Sequence, residues 1–106
     1  ARDMVITGGV NVYPVEIENV LEKHNSVNEV AVIGVPHDEW GEQLVAYVVP
    51  EDSSLNHEEL ESYARENLHE AKVPKEWETI TELPRTSTGK VKKNELEDNY
   101  TSKQKA

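Results

Sequence analysis

Residues 29–49 read EVAVIGVPHDEWGEQLVAYVV. The runs 29–35 and 43–49 are apolar and rich in β-branched residues, which predicts two strands. PHDEWGE, residues 36–42, is the loop between them. On the N-terminal side, DMVITGGVNVY (3–13) reads as two short strands around Gly8 and Gly9, because paired glycines between apolar runs signal a hairpin. Pro14 suits the first turn of a helix, where its missing N–H is not needed. Ile17, Val20, Leu21 and His24 follow at i, i+3, i+4 and i+7, which predicts one buried stripe on a helix over 14–24. Asn25 and Ser26 end it.

On the C-terminal side, Pro50 to Ser54 reads as a turn. Asn56 followed by Glu59 resembles a capping box and opens a second helix. Its apolar face is Leu60, Tyr63, Ala64 and Leu68, running to about residue 69. EWETITE (76–82) alternates as a third strand, and 84–90 is a polar loop. Residues 93–98 read as a short helix, and 99–106 as a disordered tail. The order predicts an α+β fold: a small mixed sheet of about three strands with helices packed on it, plus an N-terminal β-hairpin.

The chain has 106 residues, which corresponds to one domain with a modest core. The hydrophobic share of 36% is low against 30% charged residues, so the surface is polar. No apolar run is long enough for a transmembrane helix or a signal peptide. The net charge of −10 disfavours nucleic acid and anionic membrane surfaces. There are no cysteines, which excludes disulfide and thiolate chemistry and fits a cytoplasmic protein. The four histidines stand at no metal-ligand spacing, so no metal site is expected. The chain opens on Ala1 in mid-pattern and reads as a fragment of a longer protein.

Three segments stand out chemically. PRTSTGK (84–90) has no bulky apolar residue and reads as a solvated, movable loop. From Arg85 to Asn94, Arg85, Lys90, Lys92 and Lys93 occur with no acidic residue, a positive patch suited to an anion. It is not a phosphate-binding P-loop: Val91 follows Lys90, and no glycine stands five residues before Gly89. In GGVNVYPVEIE (8–18), the glycines allow either a tight turn or close approach of a ligand to bare backbone. Asn11 suits a turn, and Glu16 and Glu18 suit the positive end of a helix. In VPHDEWGE (35–42), Trp40 is either a core plug or a stacking platform for a base.

These segments together resemble one superfamily: acyl-CoA synthetases, peptide-synthetase adenylation domains and luciferases. ARDMVITGGVNVYPVEIE resembles the opening of their C-terminal domain, AVIGVPHDEWGEQLVAYVV its middle, and VPKEWETITELPRTSTGKV its closing loop. The match covers residues 1–98. The GGxNVYPxEIE form is similar to fatty-acyl-CoA ligases in particular.

The resemblance implies a mobile lid of an AMP-forming ligase, whose large N-terminal domain lies outside this chain. It implies ATP, bound with magnesium mainly by that domain, a fatty acid and CoA as substrates, with none held tightly by this part. The fragment alone is expected to be inactive. Lys90 matches the adenylation lysine, with Arg85, Thr86, Thr88 and Gly89 in a nucleotide-facing loop. Gly8, Gly9 and Asn11 match the stretch that enters the site for thioester formation. Trp40 matches a position that packs on the CoA nucleotide, and Lys72 is a candidate for its phosphates. Arg2 and Asp3 match the hinge, where Arg2 is an unusual residue. EAKV (70–73) departs from the family pattern of an aromatic before the lysine and a basic residue at 73. A domain that loads a carrier protein, or a free-standing acidic binding module, are the alternative readings.

Overall fold

A computed structural model describes residues 3–105. The β-branched runs form β3 (Val27–His37) and β4 (Gly41–Pro50), paired antiparallel from Val27↔Pro50 to His37↔Gly41. Alternate residues of this ribbon feed two separate cores. Val30, Val32, Leu44, Ala46 and Val48 belong to one, and Ala31, Ile33, Val35, Val45, Tyr47 and Val49 to the other. Burial on both faces explains why the sequence runs apolar without alternation.

The hairpin forms as its glycines predict. β1 (Val5–Thr7) pairs with β2 (Val10–Val12), and Gly8 and Gly9 both hold positive φ, at 57° and 82°. A two-residue turn with that handedness matches the twist of its strands. Thr7 pairs with Gly41, which fastens the hairpin to β4. β5 (Glu76–Thr79) runs parallel to β4 at Val45–Val48. The hairpin thus joins one mixed five-stranded sheet, where about three strands and a separate hairpin were expected.

The helices α1 (Pro14–Leu21) and α2 (His57–Asn67) cover the first core with Ile17, Leu21, Leu60 and Ala64. Asn56 caps α2, its side chain accepting the N–H groups of Glu58 (2.8 Å) and Glu59 (3.1 Å). A single 3-10 turn, Glu70–Lys72, precedes β5. The helix α1 stops three residues short of the expected 24, and the His24 ring accepts the Ser26 N–H at 3.1 Å beyond it.

The C-terminal segment differs most from expectation. Where a short helix and a disordered tail from 99 were expected, α3 runs from Lys93 to Lys105. Leu96 and Tyr100 share one face at i, i+4 spacing and seal the second core. The Tyr100 hydroxyl donates to Glu76 Oε2 (2.9 Å) and accepts from Gln43 Nε2 (3.1 Å). Two apolar side chains in a polar stretch suffice because β3 and β4 supply the other half of the contact.

Candidate functional site

The segment 84–90 is a braced hairpin tip rather than a loose loop. The Thr86 N–H donates to the Lys90 carbonyl (2.8 Å) and the Gly89 N–H to the Thr86 carbonyl (2.9 Å). Gly89 holds φ at 93°, a left-handed conformation that favours glycine. The Lys90 N–H donates to Thr86 Oγ1 (3.1 Å), and the hydroxyls of Thr86 and Thr88 share a hydrogen bond at 2.9 Å. Arg85 and Val91 form a single antiparallel bridge at the base. Arg85, Thr86 and Gly89 therefore build the tip.

The cations around this tip differ in one respect. Arg85 pairs with Glu29 (2.7 Å), Lys92 with Glu95 (3.2 Å), and Lys93 with Glu18 (2.9 Å) and Asp3 (3.5 Å). Lys90 is exposed, and its ammonium has no hydrogen-bond or ion-pair partner among the described residues. It borders an open groove with Glu18, Glu29, Asp3 and Lys93. An exposed ammonium on a braced turn can touch an incoming anion without first breaking an ion pair. Asp3, the expected hinge residue, is tied to the start of α3 by Lys93; Arg2 lies outside the described residues.

The second group of expected residues gathers elsewhere. The Gly8 N–H donates to the Trp40 carbonyl (2.9 Å), which joins the β1–β2 turn to the β3–β4 turn. Asn11 is exposed on β2 opposite Ile6. Trp40 is 37% exposed, so it is not a core plug. Its indole stacks on the His37 ring, with centroids 4.2 Å apart and planes 9° apart. Lys72 donates to both carboxylate oxygens of Glu16, at 3.0 and 2.9 Å, and so ties the 3-10 turn to α1.

Two residues of this region escaped the sequence reading. Lys75 places its ammonium 5.1 Å from the Trp40 ring centroid, lies in the same groove as Gly8, and is exposed with no carboxylate partner among the described residues. His37 accepts two backbone N–H groups on Nδ1, from Glu39 (3.0 Å) and Trp40 (3.2 Å). Nothing local marks Lys75; only the parallel pairing of β5 with β4 brings it beside the β3–β4 turn.

The two groups stand at opposite ends of the central ribbon. Glu29, which holds Arg85, and His37, which stacks on Trp40, are both on β3, eight positions apart. At about 3.3 Å per residue this is a separation of roughly 26 Å. The grooves bordered by Lys90 and by Gly8 have no residue in common.

Two of the shifted acid–base groups, Tyr47 and Tyr100, line neither groove. Burial, followed by the nearby Glu78, pushes the Tyr47 phenol from 10.0 up to about 12. Burial first, then its hydrogen bond to Glu76, raises Tyr100. Both phenols pack α3 onto the sheet and stay protonated as hydrogen-bond donors.

The AMP-binding enzyme C-terminal domain family matches residues 16–90, more than half of the chain. The chain is 41% identical over 98 residues to 2-succinylbenzoate–CoA ligase of Listeria monocytogenes, covering 92% of this chain and 21% of the ligase. It is 46% identical over 97 residues to the long-chain-fatty-acid–CoA ligase of Yersinia pestis, covering 92% of this chain and 17% of the ligase. The solved fatty acyl CoA synthetase of Mycobacterium tuberculosis superposes with a TM-score of 0.90 at 40% identity, over 95% of this chain and 20% of that one. The chain thus spans about a fifth of the length of the relatives it matches. No helix among the described residues is long and apolar enough to cross a membrane. The braced tip, the paired turns and these likenesses agree, and the chain belongs to the AMP-binding enzyme C-terminal domain family.

Proposed function

We propose that this domain is the mobile lid of a cytoplasmic AMP-forming acyl-CoA ligase, with Lys90 serving adenylation and the Gly8–Trp40 end serving thioester formation. One observation carries the reading. Lys90 is exposed on a braced tip and has no ion-pair partner among the described residues, whereas Arg85, Lys92 and Lys93 around it are all ion-paired.

In the first step a fatty-acid carboxylate attacks the α-phosphate of ATP and pyrophosphate leaves. Both reactants are anions, and one ammonium touching both reduces their repulsion and stabilises charge developing at phosphorus. It also fixes the line of approach. The effect is worth roughly 3–4 kcal/mol, or about 10²–10³ in rate. Gly89 keeps the tip narrow, and Arg85 and Thr86 hold the lysine's backbone in place.

In the second step the CoA thiolate attacks the acyl carbonyl and AMP leaves. Gly8 and Gly9 leave bare backbone beside which a pantetheine arm can pass, and Asn11 offers a polar side chain there. Trp40 offers an aromatic face and Lys75 an ammonium for the nucleotide end of CoA. Lys72 is the weaker phosphate candidate, since Glu16 already neutralises it.

Two ends roughly 26 Å apart on β3 can serve one reaction centre only if the domain turns between the steps. Arg2 and Asp3 are the proposed pivot, where one residue absorbs the change in φ and ψ. The reading assigns the ATP and acyl pockets to a large N-terminal domain of the same protein. The names of the relatives, ligases for fatty acids and for 2-succinylbenzoate, support a carboxylic acid substrate.

The test uses the full-length protein that carries this domain. Lys90→Ala should cut acyl-adenylate formation by roughly 10²–10³ and leave thioester formation from supplied acyl-adenylate intact. Equal loss of both half-reactions would overturn the assignment.

A further inference from the structure

At the Trp40 end, one side chain holds the whole corner together. His37 closes β3, and its Nδ1 accepts the N–H groups of Glu39 and Trp40 at 3.0 and 3.2 Å. The same ring stacks on the indole at 4.2 Å. Trp40 in turn receives the Gly8 N–H on its carbonyl at 2.9 Å. Backbone and ring of Trp40 are therefore both fixed by one imidazole, and the constraint passes on to the Gly8–Gly9 turn.

We propose that neutral His37 is a positioning residue that holds Trp40 and the Gly8 turn ready for CoA, and that protonation of its ring releases them. This rests on the reading of Trp40 as a contact for the CoA nucleotide. An acceptor nitrogen facing two N–H donors carries no proton. Adding one turns the acceptor into a third donor aimed at the same two, and both hydrogen bonds are lost. The corner is therefore set while the ring is neutral and loosened once the ring takes up a proton, so it is firmer at high pH than at low.

The other ionisable groups around the corner are Asp38 and Glu39 on the turn, Glu42 on β4, and His69, Glu70 and Lys75 in or beside the groove. The Lys75 ammonium lies 5.1 Å from the centroid of the same indole that stacks on His37. His69 also accepts an N–H on Nδ1, from Ala71 at 3.1 Å, so its response has to be separated from that of His37.

The experiment uses the full-length protein labelled with 5-fluorotryptophan. The Trp40 fluorine signal, assigned by its loss in Trp40→Phe, is followed from pH 5 to 8.5. It should titrate in the wild type and in His69→Gln, and stay flat in His37→Asn, whose side-chain oxygen is an acceptor without a charge change. In thioester formation from supplied acyl-adenylate, His37→Ala should raise the KM for CoA roughly tenfold at pH 8. His37→Asn should raise it less than about threefold, and adenylation should not change in either. A Trp40 signal that titrates in His37→Asn as in the wild type overturns the proposal, and so does an unchanged KM in His37→Ala when Trp40→Ala raises it. If Trp40→Ala leaves the KM unchanged, the CoA reading of Trp40 falls, and the fluorine titration alone decides the role of His37.

Discussion

The Arg85 guanidinium donates to the Gly89 carbonyl at 2.6 Å and to the Glu29 carboxylate at 2.7 Å, and so fastens the Lys90 tip to β3. This fork has two jobs at once: it closes the turn and sets where the turn sits on the sheet. An ammonium has no planar fork, so it makes one of these contacts at the expense of the other. Arg85→Lys should therefore lower the adenylation rate about tenfold through misplacement of Lys90. The exposed ion pair itself contributes only about 0–1 kcal/mol, so thermal unfolding should barely move. Adenylation kinetics beside a melting curve check this.

Gly89 presents the opposite balance. A methyl group there meets nothing within 4 Å, but the backbone stands at a φ of 93°. Gly89→Ala should destabilise the tip by roughly 1–2 kcal/mol, all of it backbone strain. Denaturant unfolding should show little of this if the tip rearranges locally, whereas adenylation should fall. An adenylation rate equal to the wild type would contradict the braced geometry.

The cap of α2 is far from both ends in role. Asn56→Ala removes the acceptor for Glu58 and Glu59 and should cost about 1 kcal/mol of stability. Both half-reactions should stay unchanged at temperatures well below unfolding, a control for effects that act through stability alone.

Tyr47 predicts an alkaline limit. Its phenol is raised from 10.0 to about 12 in the folded chain, chiefly by burial, and its hydroxyl bonds the Leu96 carbonyl and Asn99 Oδ1. The unfolded chain ionises this group near its ordinary value, so its contribution is fully present below pH 10. It is lost as pH climbs from 10 towards 12. Tyr47→Phe should flatten that part of the stability–pH curve while costing about 1 kcal/mol at neutral pH. Urea midpoints between pH 7 and 11.5 measure both.

Where local chemistry decides conformation, the sequence was enough. The Gly8–Gly9 turn, the helical start at Pro14, the Asn56 cap and the two β-branched runs each announce themselves within a few residues. The length of α3 did not, because Tyr100 draws its stability from Gln43 and Glu76, which are remote in the chain. The bond between Lys72 and Glu16 and the approach of Lys75 to Trp40 are likewise tertiary facts, invisible in a list of basic residues. His37 read as one of four scattered histidines because its partners are backbone N–H groups, which leave no trace in composition.

The central claim is that opposite ends of one rigid ribbon serve two successive steps. The most direct measurement is a crossed one in the full-length protein, with both half-reactions timed separately in Lys90→Ala and in Trp40→Ala. The account predicts that Lys90→Ala loses adenylate formation and keeps CoA transfer, while Trp40→Ala does the reverse. Were each substitution to slow both steps by the same factor, the two ends would not be dividing the work, and the account would be contradicted.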